Sequence, residues 1–245
     1  NLLRAGAIDE PLANAARIWV GSELCAKIVR KNRRDVIVMP YGVDPLEGST
    51  IKPSGSLEIA VFGSIEPRKG QDLALAGLKL LPSADRANIH LTLFGRPLDA
   101  KFFARIIEEC RGNEKVTYGG ELDREDYYRT IASVDAVLVC SREDTAPLIS
   151  IDALSAGRML LLTRDVGTSA WLTDGVDALI ESKANPEAMR NLYVRALARR
   201  SDANELGQAA KQCFERNFSR AAFFELFRSE IQIAKVTSTD NTGTL

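Results

Sequence analysis

The sequence predicts an α/β fold: a doubly wound parallel sheet with helices on both faces, Rossmann-like, followed by a helical carboxyl-terminal tail. Three observations carry this. From Leu57 onward, short apolar runs alternate with segments of helical periodicity. The runs are continuously apolar, as strands buried on both faces are. Several of them end in glycine or a polar loop, at Gly63, Gly95, Gly119 and Ser141. That is the edge at which such sheets bind ligands.

The elements follow in order. Arg17 to Gly21 reads as a strand, Glu23 to Lys31 as a helix and Val36 to Met39 as a strand, before a turn over Pro40 to Asp44. Gly48 to Gly55, rich in Gly, Ser and Pro, reads as a linker. Then come a strand at Leu57 to Phe62, a helix at Gly70 to Leu81, a strand at His90 to Phe94 and a helix at Lys101 to Cys110. Val116 to Tyr118 is a short strand, Arg124 to Ser133 a helix and Ala136 to Cys140 a strand. A helix after Pro147 leads to a strand at Met159 to Thr163, a short helix near Ser169 to Leu172 and a last small strand at Ala178 to Ile180. Pro186 to Ile233 is helical in three segments, broken near Ser201-Asp202 and Asn217 to Ser219, with Ser219 as a cap. Val236 to Leu245 is polar and Thr-rich, a tail expected to fray.

Composition narrows the function. The chain of 245 residues is 45% hydrophobic and 27% charged, which suits a globular protein with a substantial core. A net charge of -1 argues against nucleic acid as a partner. No apolar run approaches the ~20 residues of a membrane span. Cys25, Cys110, Cys140 and Cys213 are scattered, with no pair at metal-ligand spacing, and read as reduced thiols of a cytoplasmic protein. His90, the single histidine, lies inside a strand and reads as structural. Neither a metal site nor a histidine triad is expected from this inventory, and no cofactor.

The chemistry concentrates in Ser141 to Gly157. Asp144 precedes a helix start and Asp152 falls inside the helix. Pro147 suits the first turn, where its missing N–H has no partner to lose. The amides of Leu148 and Ile149 then point out of the helix end, where an anion binds. Amides for phosphate and carboxylates for hydroxyls suit a phosphate-linked sugar. A second motif, Gly63 to Gly70, joins a strand end to a helix start and carries Arg68 and Lys69. Adjacent cations at that place suit a diphosphate. At a helix N-terminus they oppose the macrodipole unless an anion is present.

The order of these motifs resembles the carboxyl-terminal domain of the group 1, glycogen-synthase-like retaining glycosyltransferases, enzymes with two facing Rossmann-like domains. The resemblance runs from about Arg17 to Phe227. It rests on Trp19 to Ser22, Tyr41 to Asp44, Gly63 to Asp72, Val116 to Gly120, Tyr128, Asp135, Ser141 to Gly157, Val166 to Ser169 and Thr173 to Gly175. It implies a domain that binds a nucleotide-sugar donor, with the sugar transferred at retained configuration and a nucleoside diphosphate leaving. Lys69 would hold the diphosphate, beside Gly63, Ser64 and Arg68. Asp144 would contact the sugar hydroxyls, Lys69 and Asp144 being the catalytic pair. Asp152 would bond the ribose, and the backbone of Thr145, Ala146, Pro147, Leu148 and Ile149 would meet phosphate and sugar. The loop Gly119, Gly120, Glu121 and Leu122 would lie by the base. The sequence departs from the family at four positions: aspartates stand at both carboxylate positions where glutamates are usual, Ser64 stands where an arginine is usual, and Ala178 replaces a glycine.

The resemblance also sets a domain plan. Residues 1–47 are expected to be the tail of an acceptor-binding domain with the interdomain segment, 48–56 a linker, 57–235 the donor domain and 236–245 a disordered tail. An acceptor domain is expected before Arg17, so this chain alone would be inactive. The expected setting is hexosyl transfer in cell-surface polysaccharide or glycoconjugate synthesis, by a full-length protein that can associate with membranes. Two other readings stay open: a degenerate, non-catalytic interaction module, and half of a nucleotide-sugar epimerase.

Overall fold

The computed structural model describes residues 9–46 and 55–240. The expected linker therefore lies, up to residue 54, outside the described residues, as do the last five residues of the expected tail. The chain divides into two units, Asn1–Asp44 with Glu215–Leu245, and Pro45–Phe214.

The first unit opens with helix α1 (Asp9–Asn14), strand β1 (Ile18–Val20), helix α2 (Glu23–Val29) and strand β2 (Val36–Val38). β1 and β2 pair in parallel, with Ile18 beside Val36. Ser22 caps α2 by accepting from the Cys25 amide at 3.3 Å. Ile18, Ala26, Val29 and Val36 form the small core beneath.

The second unit follows the expected alternation. Strand β3 (Leu57–Phe62) leads through a 3-10 turn, Pro67–Lys69, to helix α3 (Gln71–Lys79). Next come the short helix α4 (Ser83–Ala87), strand β4 (Ile89–Phe94), helix α5 (Ala100–Arg111), strand β5 (Val116–Gly120), helix α6 (Arg124–Ser133) and strand β6 (Ala136–Val139). Helix α7 (Leu148–Ser155), strand β7 (Met159–Thr163), a 3-10 turn (Gly167–Trp171) and strand β8 (Leu179–Glu181) complete the sheet region. Helices α8 (Pro186–Ala198) and α9 (Ala203–Asn217) follow, and α10 (Arg220–Asp240) returns the chain to the first unit. Ser219 caps α10, accepting from Ala222 N at 3.2 Å.

The sheet order is β5-β4-β3-β6-β7-β8, and every pairing is parallel. The chain builds outward from β3 to β5, then returns to place β6 on the other side of β3. That reversal is a topological switch point, which opens a crevice beyond the carboxyl ends of β3 and β6. One face of the sheet packs Leu57, Ile59 and Val61 with Leu78 of α3, Phe102 of α5 and Met189 of α8. β6 and β7 are buried at every position, which explains their uninterrupted apolar sequence. Close helix packing is set at Gly77, where a Cβ would lie 2.4 Å from Met189 Cβ. His90 is structural, as expected: Nδ1 is 2.8 Å from Glu58 Oε2 and Nε2 is 3.0 Å from Thr117 Oγ1. All four cysteines are free thiols.

Some element ends differ from the sequence reading. β5 continues two residues past Tyr118, because the β4–β5 register shifts between Leu93 and Phe94 and carries Gly120 into the ladder. Gly119 lies against the Phe94 ring, where a Cβ would come within 2.2 Å of it. The last helix runs through Asp240, into the segment expected to fray. Among the described residues, no helix is long and apolar enough to cross a membrane.

Candidate functional site

The two motifs singled out in the sequence meet at the switch point. β3 ends at Phe62 and hands the chain to the basic turn; β6 ends at Val139 and hands it to the loop that carries Asp144. Lys69 Nζ donates to Asp144 Oδ2 at 2.5 Å, and Arg68 Nη1 lies 3.9 Å from the same oxygen. Both Lys69 and Asp144 are largely sheltered from solvent, at 18% and 11% side-chain exposure. A pair this dry is screened weakly by salt.

The turn that presents Lys69 needs a glycine behind it. Gly70 has φ +74°, and a Cβ there would fall 2.0 Å from the Cys140 carbonyl oxygen. Only glycine allows both the left-handed backbone and that approach. This corrects the expected geometry: α3 begins at Gln71, so Arg68 and Lys69 end the preceding 3-10 turn and do not load the first turn of α3. Their charge is met by Asp144 and by Glu66, whose Oε1 accepts from Arg68 Nη2 at 2.9 Å and from the Ser64 hydroxyl at 2.7 Å. The Ser64 hydrogen bond, aided by the charge of Arg68, holds the Glu66 carboxyl below its usual range.

Asp144 is fixed by its backbone as well. Its amide donates to Asp165 O at 3.2 Å, and its carbonyl accepts from Gly167 N at 2.7 Å. The loop Val166 to Ser169, one of the sequence landmarks, thus pins the residue. Beyond it, Thr145 and Ala146 are half-buried, Pro147 and Ile149 are buried and Leu148 is exposed. Pro147 occupies the N-cap, one position earlier than the first-turn placement expected, and α7 starts at Leu148.

The N-termini of the helices differ. Asp99 caps α5, Asp123 caps α6 and Asn185 caps α8, each through a side-chain oxygen. α3 and α7, which leave the two strands of the switch point, have no side-chain cap. Their leading amides have no acceptor within the helix, and the positive end of each dipole lies there.

Asp152 lies one turn into α7 and faces a different environment. Its Oδ2 accepts from the Tyr127 hydroxyl at 2.6 Å. Burial raises its pKa above the usual carboxylate value, against the lowering effect of that hydrogen bond. Burial, and then the Asp152 charge, likewise raises the Tyr127 phenol. Asp152 is therefore a half-buried, hydrogen-bonded carboxylate.

Tyr127 also lines a cavity of about 360 Å³ with Phe62, Gly63, Ser64, Phe94, Gly95, Arg96, Glu121 and Leu122. Phe62 and Phe94 stack with ring centroids 5.2 Å apart, and Tyr127 meets Phe62 edge-on at 5.3 Å. Here the structure joins Gly63 and Ser64 to the expected loop residues Glu121 and Leu122. Sequence reasoning missed Phe62, Phe94 and Tyr127. Phe62 and Phe94 close their strands just before Gly63 and Gly95, a placement that could have marked them.

A doubly wound parallel sheet with basic and acidic loops converging at its switch point defines a protein of the Rossmann-like α/β class. Residues 44–213 match the family model for glycosyl transferases group 1, and the chain belongs to that family. It is 23% identical over 235 residues to the lipopolysaccharide 1,2-N-acetylglucosaminetransferase of Salmonella typhimurium (strain LT2), covering 91% of this chain and 58% of that protein. The chain thus spans under two thirds of that relative's length. Among solved structures, the fold is similar to sucrose-phosphate synthase of Thermosynechococcus elongatus, with TM-score 0.80, 18% identity and coverage of 96% of this chain and 63% of that one. It is similar to Anabaena HepE in complex with UDP and glucose, with TM-score 0.79, 15% identity and coverage of 94% and 66%. The C-terminal domain of a group 1 glycosyltransferase from Francisella tularensis is covered in full, with 73% of this chain, TM-score 0.64 and 14% identity.

Proposed function

We propose that this chain is the donor-binding domain of a retaining glycosyltransferase that transfers a hexose-type sugar from a nucleoside diphosphate sugar. The observation that carries the reading is the Lys69–Asp144 pair at the switch point, flanked by the uncapped N-terminus of α7. The bound nucleotide of the Anabaena protein and the sugar transferred by the Salmonella relative support it. Polysaccharide or glycoconjugate synthesis is the setting this suggests, with an acceptor domain supplied by the rest of the protein.

The residues divide the work. The diphosphate draws Lys69 away from Asp144 and takes Arg68 and the amides of Leu148 and Ile149 as further partners. Asp144, released from its cation, accepts from sugar hydroxyls. As the glycosidic bond breaks, negative charge builds on the leaving diphosphate. Lys69, Arg68 and the α7 dipole stand where that charge develops, so they stabilise the transition state more than the ground state. Asp152 keeps one oxygen on Tyr127 and offers the other to the ribose. The aromatic-walled cavity by Glu121 and Leu122 receives the base.

A thermal-shift panel of UDP-, GDP-, ADP- and TDP-sugars tests the reading, since a ligand raises the melting temperature in proportion to its binding to the folded state. One nucleotide class should stabilise the chain, and Lys69→Ala should abolish the shift. A folded chain that no nucleotide stabilises at millimolar concentration contradicts the proposal.

A further inference from the structure

We infer that Arg142 is a positioning residue that clasps the basic turn to the loop after β6 and so holds Lys69 against Asp144. Its Nη1 and Nη2 donate to Asp72 Oδ1 and Oδ2, each at 2.8 Å, the two-pronged geometry that only a guanidinium offers a carboxylate. Nη1 also donates to the Pro67 carbonyl at 2.5 Å, and the Arg142 amide donates to the Arg68 carbonyl at 2.9 Å. The Cys140 thiol donates to the Lys69 carbonyl at 3.2 Å. All three carbonyls of the 3-10 turn thus receive a donor from the segment Cys140 to Arg142.

The clasp is poorly placed to act as a stability element. Arg142 and Asp72 are 39% and 32% exposed, and exposed ion pairs contribute little to folding. What it supplies is geometry. Arg142 stands two residues before Asp144, and Pro67 stands two before Lys69, so one side chain couples the backbones that carry the two ends of the pair. A lysine at position 142 would bring the charge but not three directed donors. Its consequence for donor binding rests on the function proposed above; its effect on Lys69 does not.

The test separates the two. In the full chain, the rate of reductive methylation at Lys69 is read by peptide mass spectrometry, with exposed Lys101 as internal standard. Arg142→Gln and Asp72→Asn should each raise the Lys69 rate at least about five-fold relative to Lys101, with Arg142→Lys intermediate and melting temperatures within a few degrees of wild type. An unchanged ratio in Arg142→Gln overturns the inference; should that variant fail to fold, Asp72→Asn and Arg142→Lys decide. In parallel, UDP affinity should fall about ten-fold in Arg142→Gln and show no further fall when Arg142→Gln is added to Lys69→Ala. Equal losses in both backgrounds mean that Arg142 acts independently of Lys69, which also overturns it. Absence of any nucleotide binding counts against the donor reading alone, and the methylation ratio still decides the role of Arg142.

Discussion

Asp144 and Asp152 belong to one short segment, yet the fold gives them opposite surroundings. Asp144 meets a full positive charge: Lys69 at 2.5 Å, with Arg68 behind it. Its backbone is held from both sides by the loop after β7. Asp152 meets a phenol, and burial draws it toward its neutral form. The first carboxylate is part of a charge pair in which each member makes the other affordable. The second is a tuned single group. Breaking the first should therefore cost far more than altering the second, in stability and in binding alike.

The largest effect is expected at the hinge of the charged half. Gly70→Ala combines a left-handed backbone with a Cβ driven onto the Cys140 carbonyl. Strain and overpacking together should cost roughly 3 kcal/mol, a fall of about 6–12 °C in melting temperature for a domain of this size. A melting temperature within 2 °C of wild type would contradict the close approach at Gly70.

Next comes Lys69→Ala, which leaves Asp144 sheltered without its cation. Truncating one member of such a pair should cost about 2 kcal/mol of stability. Nucleotide affinity should fall about 100-fold by calorimetry. Lys69→Met with Asp144→Leu sharpens the comparison, because an apolar pair of similar volume can replace a buried ion pair without loss. The double variant should regain most of the stability and none of the affinity. Recovery of both would show that the pair serves the fold alone.

The legibility of this molecule follows the same division. The sheet was readable because its strands are apolar at consecutive positions, as in Ala136 to Val139, and because several end at a glycine, as Phe62 does before Gly63. The pair Lys69–Asp144 was readable as two motifs at strand ends, 75 residues apart, which the switch point of the parallel sheet brings together. Tyr127 was not readable as the partner of Asp152. Tyr128 beside it was the landmark, and a helix gives adjacent residues different faces, so the packing of α6 decides which tyrosine turns inward. The Arg142 clasp was hidden for a similar reason. A charged residue in a polar loop looks like a solvated one until its carboxylate partner, 70 residues away, is placed beside it.

On the neutral side, Tyr127→Phe removes one hydroxyl and keeps the ring against Phe62. Loss of that hydrogen bond should cost about 1 kcal/mol and weaken nucleotide binding by less than about ten-fold. It should also raise the Asp152 pKa further, since the hydroxyl is what lowers it. A carboxyl-selective NMR titration checks the direction, and a fall in the Asp152 pKa would break the assignment of that partner.

The smallest effect, and the most discriminating, is expected from Asp152→Asn, which should stabilise the protein. The pKa of Asp152 is raised in the folded state above the usual 3.8. Between those two values the folded state binds more protons than the unfolded one, so stability falls as pH rises through that window and stays reduced above it. Asparagine keeps an acceptor for Tyr127 and has no proton to lose. Its melting temperature should therefore exceed that of wild type at neutral pH, and the difference should vanish below the unfolded value. Nucleotide affinity should fall several-fold in the same variant, because a neutral amide is a weaker acceptor for a ribose hydroxyl. A more stable chain that binds less well is the pattern of a carboxylate retained for its ligand. A stability difference that is constant with pH would mean that burial does not set the state of Asp152. The contrast with Asp144 would then lie in packing instead of charge.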